Sequence, residues 1–327
     1  MTTNAPIPQL DPLEIKSISL WGSEYLLAKW LNRIQIGTLE AQFPSGVTKT
    51  FSGFLEGPKA TIKIHKLSLV RRLIISGDIG LAESFMAEEW DTPDLTALIR
   101  LGELNEKAFG NAATPSKLMG LLNRLRHGWR ANSRRGSKKN IAAHYDLGNR
   151  FYSNWLDKSM SYSSGLFHDL TIDHEIAQRN KYLRLAKHLD LKEGQTVLEI
   201  GCGWGGFAEI AAKEFQCKVV GLTLSKEQAQ FAQNRMDEAQ LTELVDIRIQ
   251  DYRDVEGNYD KIVSIEMFEA VGQENWNSYF DIIKNRLKNG GKAAIQSITI
   301  ADTFFEKYKK EPDFIQKYIF PGGVLPS

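Results

Sequence analysis

The chain has 327 residues, of which 42% are hydrophobic and 25% are charged, and its formal net charge is +1. That length allows two domains, and so balanced a charge does not by itself favour any class of partner. Cys202 and Cys217 are the two cysteines, too few for a disulfide framework, and the N-terminal sequence MTTNAPIPQLDPLE lacks the regions of a signal peptide. No stretch is apolar enough to span a bilayer. We therefore expect a globular cytoplasmic protein.

A small α+β domain is predicted for residues 21–104, after a Pro-rich flexible arm at 1–20. Apolar spacing after Ser23 indicates a helix, and three short alternating segments then indicate strands at 36–43, 48–55 and 60–65. A helix that begins near Ser68 is expected to end at Gly77, a residue suited to a C-terminal cap. A last helix is predicted from Asp94 to Leu104.

Residues 105–140 are predicted to be a basic linker. Its residues 124–139 include seven cations and no acidic residue: Arg124, Arg126, Arg130, Arg134, Arg135, Lys138 and Lys139. Interleaved apolar residues would let this segment lie on an anionic bilayer, where each cation contributes roughly 1 kcal/mol. A solvated linker helix is the alternative. A nucleic-acid patch would have no aromatic platform beyond Trp129.

The segment at 140–167, NIAAHYDLGNRFYSNWLDKSMSYSSGLF, is rich in aromatic, amide and hydroxyl side chains. In isolation its aromatic residues are more typical of a core than of a binding site. A periodic helix is predicted for residues 172–189.

The stretch at 196–207, TVLEIGCGWGGF, carries the clearest signal in the chain. A short apolar run predicts a buried strand, which breaks into a glycine turn and then into a helix. Glycine at such a turn lets a nucleotide approach the main chain closely. A lone G-x-G is weak support, but Glu199 ahead of it makes the pattern similar to the first motif of S-adenosylmethionine (SAM) methyltransferases.

Strands and helices then alternate regularly. Strands are predicted at 218–222, 245–249, 262–265 and 292–298; Ser225 is expected to cap one helix, and another covers 276–287, ended by a turn at Asn289 to Gly291. This alternation predicts an α/β fold with a mainly parallel sheet. Such sheets bind ligands at the carboxyl ends of their strands, which is where the polar clusters of this sequence lie.

Six ordered segments identify a resemblance: HYDLGNRFYSNWLD, MSYSSGLF, VLEIGCGWGGF, GLTLSKEQ, EMFEAVG and KYIFPGGVLPS. Together they resemble the cyclopropane-fatty-acyl-phospholipid synthases and the related mycolic-acid methyltransferases. The resemblance implies a Rossmann-like SAM methyltransferase domain at 141–327, after the small N-terminal domain. It also implies transfer of a methyl group from SAM to the cis double bond of a phospholipid acyl chain, which forms a cyclopropane.

The resemblance places SAM across the glycine turn and the ends of the next two strands. The residues that it implies are Glu199, Gly201, Gly203 and Gly205 along the turn, Tyr162 and Ser163 at the methionine end, Thr223 and Gln228 near the ribose, and Asp251 and Tyr252 at the adenine. Some of these have structural alternatives, since Ser225 could serve only as a cap and Tyr252 could serve only in packing. No metal is expected.

Methyl transfer to an unactivated alkene must build a carbocation in a place that excludes water. Aromatic faces stabilise such a cation, and the candidates are Tyr145, Tyr162, Phe268 and Tyr318. Each of these could equally be a core residue.

Ring closure then needs a base, and here the sequence departs from the family. The family implies a bound bicarbonate held by a cysteine, a glutamate, a histidine, the amide of an isoleucine and a later tyrosine. Glu269 and Ile298 are retained, whereas the cysteine position is Ser164 and the histidine position is Gln296. Ser and Gln can still donate to an anion, so bicarbonate can be retained; the alternative is that Glu269 acts alone. These changes weaken ring closure more than methyl transfer, and a methyl- or methylene-branched chain is the alternative product.

The expected partners are phospholipid acyl chains at the inner face of an anionic membrane, with no nucleic acid; a homodimer is compatible with the sequence. SAM methyltransferase sheets usually continue with two more strands beyond the fifth, so we expect the chain to be a fragment; a protein with a shortened sheet is the alternative. The alternative from a different class is a non-catalytic lipid-binding protein that kept the fold and lost the bicarbonate cage.

Overall fold

The computed structural model describes residue 20 and residues 22–109 and 148–327. The chain divides into two compact units, Met1–Leu121 and Leu122–Ser327. Most of the predicted arm, nearly all of the basic linker and the candidate residue Tyr145 lie outside the described residues.

The first unit combines helices with one four-stranded sheet. Its elements are α1 (Ser23–Leu31), β1 (Ile36–Gln42), β2 (Thr48–Ser52), β3 (Leu55–Ile64), α2 (Ser68–Met86), β4 (Trp90–Asp91), α3 (Leu95–Leu104) and α4 (Glu106–Phe109). The strand order is β2-β1-β3-β4, with β1 antiparallel to β2 and parallel to β3. The helix predicted from Asp94 is α3, and Asp94 caps it, since its carboxylate accepts from the Ala97 amide at 2.8 Å. The predicted α+β class is thus confirmed for this unit.

The predicted end of the second helix at Gly77 is wrong. The helix continues to Met86, and Gly77 is a kink inside it with φ 59° and ψ −134°. Glycine can adopt this backbone conformation at little steric cost, so the helix bends and resumes there instead of stopping. Beyond the kink, Gly80 packs so tightly on the Arg72 carbonyl that a Cβ would lie 2.1 Å from it.

The second unit alternates strands with helices, as predicted. Its elements are α5 (Asn149–Tyr152), α6 (His174–Leu189), β5 (Thr196–Ile200), α7 (Gly206–Phe215), β6 (Lys218–Thr223), α8 (Lys226–Glu238), β7 (Val245–Ile249), β8 (Tyr259–Ile265), α9 (Trp276–Arg286), β9 (Leu287–Gln296) and α10 (Asp302–Lys310). The sheet has the order β7-β6-β5-β8-β9, and every neighbouring pair in it is parallel.

The core of the second unit lies on both faces of β5. Val197, Leu198 and Ile200 are at most 1% exposed, which explains why this strand reads as a continuous apolar run. Val197 packs in a cluster with α6 and α7, whereas Leu198 and Ile200 pack in a cluster with β8 and α9. The strand is therefore a rigid base for the glycine turn that follows it.

The fifth strand of this sheet begins earlier than predicted. β9 starts at Leu287, which pairs with Tyr259, and the register then shifts so that Lys292 pairs with Lys261. The predicted turn at Asn289 to Gly291 is a bulge within the strand, and Gly290 has φ 77° there. The expected glycine turn thus remains inside the strand, because the register shift absorbs its extra residues.

Within residues 22–109 and 148–327, no helix has both the length and the apolar character that crossing a bilayer requires.

Candidate active site

A cavity of about 480 Å³ opens at the carboxyl ends of the parallel strands in the second unit. Its wall includes the last residues of β5, β6 and β8 and the residues that follow β7. Most of the predicted cofactor residues line it: Tyr162, Ser163, Glu199, Gly201, Gly203, Thr223, Gln228, Asp251 and Tyr252. The structure thus brings together residues that are up to 90 positions apart in the chain, at the sheet edge where such folds bind ligands.

The glycine turn forms one wall of this cavity. The amides of Gly201 and Cys202 both donate to the Leu222 carbonyl, at 3.0 and 2.8 Å, which ties the turn to the end of β6. Gly203 has φ 52°, and a Cβ built there would meet no atom within 4 Å. Open space of this kind in front of a helix N-terminus is what a ligand needs to approach the backbone.

Gly205 does not line the cavity. A Cβ there would lie 3.1 Å from the Ala232 Cβ, and the residue has φ 83° ahead of α7. Its place in the structure is therefore the close packing of the turn against α8. Contact between Gly205 and SAM stays a prediction.

Glu199 lies at the base of the turn and is 2% exposed. It accepts a hydrogen bond from the Ala208 amide, yet its Oε2 is buried with no partner among the described residues. Burial raises the pKa of this carboxyl well above its usual range, although the Lys181 charge and the Ala208 amide oppose the rise. A buried acceptor that faces a cavity needs a donor from a ligand. The hydroxyl and ammonium groups of SAM are such donors, so this wall fits that cofactor.

Two polar side chains at the end of β6 are oriented by each other. The Thr223 hydroxyl donates to Gln228 Oε1 at 2.7 Å, and Ser225 caps α8 by accepting from the Gln228 amide at 3.3 Å. The predicted cap is confirmed, and it anchors the start of the helix that carries Gln228. The Gln228 side chain is thus held at the cavity wall in one orientation.

The residues that follow β7 include a member that the sequence reading missed. Asp251 accepts from the Arg253 amide and guanidinium, at 3.0, 2.9 and 2.6 Å, and the two side chains are each 12% exposed. Arg253 also lines the cavity, and Tyr252 packs edge-on against Tyr279 at 5.5 Å. The Asp251 carboxylate is therefore engaged within the protein, and an adenine here would meet an ion pair beside the Tyr252 ring.

The residues predicted to hold bicarbonate separate into two groups. Ser164 and Gln296 both contact the carboxylate of Glu266, a residue that the sequence reading did not include. Ser164 donates to Glu266 Oε1 from its amide at 2.9 Å and from its hydroxyl at 2.6 Å, and Gln296 donates to the same oxygen at 2.9 Å. The only available signal was the position of Glu266 directly after β8, which places it at the ligand-binding edge.

Glu269 and Ile298 form the other group. Glu269 Oε1 accepts from the Ile298 amide and from the Ser297 hydroxyl, the latter at 3.0 Å. Its Oε2 is buried with no partner among the described residues, and burial raises the pKa of the carboxyl above its usual value. Glu266 and Glu269 both line the cavity.

The aromatic candidates differ in position. Tyr162 lines the cavity, beside the rings of Trp155 at 5.2 Å and Phe320 at 6.1 Å. Phe268 is 6% exposed within the core around α9, and Tyr318 is 41% exposed; neither lines the cavity. Phe268 and Tyr318 are thus not placed to face a carbocation in this cavity, because the first packs inward and the second faces solvent.

The parallel sheet, the glycine turn and the unpartnered Oε2 of Glu199 define a SAM-dependent methyltransferase domain. Within that class, the chain belongs to the mycolic acid cyclopropane synthetase family, whose sequence model matches residues 132–327.

Similar proteins support this assignment. The chain is 37% identical over 288 residues to the tuberculostearic acid methyltransferase UfaA1 of Mycobacterium tuberculosis, covering 85% of this chain and 66% of that protein. It is 35% identical over 282 residues to the cyclopropane-fatty-acyl-phospholipid synthase of Escherichia coli K12, covering 82% of this chain and 67% of that protein. The chain thus spans about two thirds of the length of these relatives.

Among solved structures, the fold matches the mycolic acid cyclopropane synthase CmaA1 complexed with SAH and CTAB. The TM-score is 0.54 at 30% identity, and the match covers 58% of this chain and 70% of that one.

Proposed function

We propose that this protein transfers the methyl group of SAM to the cis double bond of an unsaturated phospholipid acyl chain. The observation that carries the proposal is that one cavity is lined both by the glycine turn and by the carboxylates of Glu266 and Glu269. Its remaining wall is largely apolar and includes Ile265, Met267, Val271, Ile315, Phe320, Val324 and Leu325. An apolar wall suits an acyl chain. It also excludes water, and a carbocation survives only where water is excluded.

When bound, SAM supplies an electrophilic methyl group. Gly201 and Gly203 would admit it to the backbone, and Glu199 would accept a hydrogen bond from it at Oε2. Tyr162, which lines the cavity, would place an aromatic face near the carbon that becomes cationic.

The carbocation must then lose a proton, and we propose that a protein carboxylate takes it. Ser164 and Gln296, the side chains predicted to hold bicarbonate, already donate to Glu266 Oε1. Hydrogen bonds from three donors to one oxygen fix the carboxylate plane and leave Oε2 to take the proton. Glu269 is the second candidate base, since its Oε2 has no partner among the described residues and its pKa is raised.

The product depends on how the cation collapses. Loss of a proton from the transferred methyl group with closure gives a cyclopropane, the leading product. Loss of that proton after a hydride shift gives a methylene branch; a saturated methyl branch would further need a reductant. The branched product is the second candidate, because Ser164 and Gln296 donate to Glu266 instead of to a bound anion. One relative, at 37% identity, is named a tuberculostearic acid methyltransferase, and another, at 35% identity, is named a cyclopropane-fatty-acyl-phospholipid synthase.

Lipid analysis of cells that express the full-length protein tests the proposal. Modified acyl chains should gain the mass of one CH₂ group, and gas chromatography of the methyl esters separates ring from branch. The control is Glu199→Ala, which should give unmodified lipids. Unmodified lipids from the wild type, despite calorimetric binding of SAM, would overturn the proposed reaction and favour the non-catalytic alternative.

We also propose that the basic segment at 124–139 brings the protein to an anionic membrane surface, where its substrate lies. Its seven cations without an acidic residue support this. Binding to anionic vesicles should fall as salt rises, because salt screens surface charge. Equal binding to neutral vesicles would contradict this role.

A further inference from the structure

Lys181 is a buried cation that the proposed reaction does not use. It lies on α6 and is 3% exposed, whereas lysine side chains almost always reach solvent. A buried ammonium is costly unless several partners hold it. Its partners therefore indicate what the side chain does.

Those partners belong to the cavity wall and to the same helix. Lys181 Nζ donates to the Ser163 hydroxyl and to Gln178 Oε1, and it lies 4.3 Å from the centroid of the Tyr182 ring. Gln178 Nε2 in turn donates to the Ser163 carbonyl at 2.7 Å. Ser163 is thus held at both its hydroxyl and its carbonyl by two side chains one helical turn apart.

The residues on either side of Ser163 are held in the same manner. The Ser161 and Tyr182 hydroxyls lie 2.7 Å apart in a buried hydrogen bond. Ser164 is fixed by Glu266. Ser161, Tyr162 and Ser163 line the cavity, and side chains of α6 hold this part of the wall at Ser161 and Ser163.

We propose that Lys181 is a positioning residue for the cofactor: its ammonium orients Ser163, and with it the wall on which the methionine end of SAM lies. This inference rests on the proposed function, because it assumes that the cavity binds SAM. The residue does not itself line the cavity, so its effect on the cofactor passes through Ser163.

Charge explains why this position holds a lysine. Burial lowers the pKa of the Lys181 ammonium to about 8, and the carboxylates of Glu266, Asp157 and Glu199 oppose that lowering. The groups on its own helix are the Tyr182 hydroxyl, whose pKa burial raises, and His174, whose Nε2 lies 3.2 Å from Gln178 Nε2. The Arg235 charge acts on the neighbouring Tyr182 hydroxyl, and its guanidinium donates to the Ser159 carbonyl at 2.8 Å. The ammonium therefore persists at neutral pH and loses its proton in the mildly alkaline range.

Calorimetric titration of the full-length protein with S-adenosylhomocysteine (SAH) tests the proposal, because SAH carries the same α-amino and α-carboxylate groups as the methionine end of SAM. Lys181→Met should weaken SAH binding about 10-fold, because a charge-assisted hydrogen bond to the wall is lost. Ser163→Ala should have a similar effect, and the double variant should be no weaker than either single one. Lys187→Met, on the exposed side of the same helix, is the matched control and should bind as the wild type does.

A pH series separates positioning from a merely structural role. The ratio of the wild-type to the Lys181→Met affinity should shrink as pH rises through about 8, where the wild-type ammonium loses its proton. The α-amino group of SAH loses its proton in the same pH range. Its effect on affinity is the same for both proteins and therefore cancels in the ratio.

Equal affinity of wild type and Lys181→Met, or additive effects of the two single variants, would overturn the inference and leave the proposed function standing. Failure of the wild type to bind either SAH or SAM would overturn both. If Lys181→Met does not fold, Ser163→Ala replaces it as the reference in the pH series. An unchanged Ser163→Ala affinity, or a ratio of the wild-type to the Ser163→Ala affinity that does not change with pH, would then refute the role.

Discussion

The cavity has two sides that are built in different ways. On the cofactor side, backbone geometry dominates: the glycine turn is tied to β6 by main-chain hydrogen bonds, and Glu199 is 2% exposed. On the base side, side chains dominate: Ser164, Gln296 and Ser297 hold two carboxylates, and Ser164 is exposed. The cofactor side therefore depends on the strand-turn-helix unit, whereas individual substitutions can change the chemistry of the base side.

The largest effect on cofactor binding is expected from the glycine turn. Gly203→Val should weaken SAM binding about 100-fold, or ~3 kcal/mol, because the side chain would fill the open space and strain a backbone with φ 52°. Gly290→Val is the matched control, since Gly290 also has φ 77° and open space but lies in the β9 bulge. It should lose stability and keep SAM affinity. Calorimetry and thermal melting measure the two quantities, and similar SAM affinities in both variants would contradict the assignment of this wall.

The base side should lose turnover without losing the cofactor. Glu266→Gln should reduce product formation by roughly 10²-fold or more, as expected for loss of a proton acceptor, with SAM affinity within about twofold of the wild type. Glu269→Gln should have the smaller effect. The measurement is the rate of lipid modification under saturating SAM. The reverse order would assign the base to Glu269 instead.

The pH dependence of turnover sharpens the comparison further. Burial raises the pKa of Glu269, and its bonds from Ile298 and Ser297 oppose that rise without cancelling it. A carboxylate with a raised pKa takes up its proton at a higher pH than an ordinary glutamate does, so activity that needs the charged form declines as pH falls through that raised value. The acidic limb of kcat/KM should therefore move to lower pH in Glu269→Gln. An unmoved limb would show that Glu269 does not titrate in the reaction.

The smallest effect is expected at the opposite end of β5, away from the cavity. Asp260 accepts from the Thr196 amide and hydroxyl, both at 2.8 Å, and from Lys288 at 2.9 Å, and its pKa is lowered to about 2. Because the folded pKa lies below the unfolded one, its stabilisation is present above the unfolded value and is lost as pH falls towards about 2.

Asp260→Asn should cost about 1 kcal/mol of unfolding free energy at neutral pH, since the pair with Lys288 is partly exposed and screened. Chemical denaturation at neutral and acidic pH measures this cost, and SAM affinity should not change. If Asp260→Asn lost as much SAM affinity as Gly203→Val, the far end of β5 would contribute to the cofactor site as well as to stability, contrary to this prediction.

Most of the second unit could be predicted from the sequence because its signals are local. Apolar runs placed β5 to β8, and Ser225 was recognised as a cap. The misses arose where tertiary packing outweighed a local signal. Gly77 bends a helix without ending it, and the turn at Asn289 to Gly291 is absorbed into β9 by a shift of register.

The candidate site divides along the same line. Glu199 and Gly203 were found because their role follows from a contiguous motif. Glu266 and Lys181 were missed because their meaning lies in partners far away in the chain: Ser164 is 102 residues from Glu266, and Ser163 is 18 residues from Lys181. Resemblance identified Ser164 and Gln296 as replacements, but only the structure showed that a neighbouring carboxylate accepts their hydrogen bonds.

The sequence by itself determined the α/β fold, the family and the wall that faces the cofactor, because strand, turn and helix follow one another without interruption. Only the tertiary structure decided how charge is arranged around that wall. Burial and the distance to other charges set the pKa of an ionisable group. Neither can be read from the position of the residue in the chain. Thus Glu199 is a buried acceptor with one unpartnered oxygen, and Lys181 is a buried cation behind Ser163.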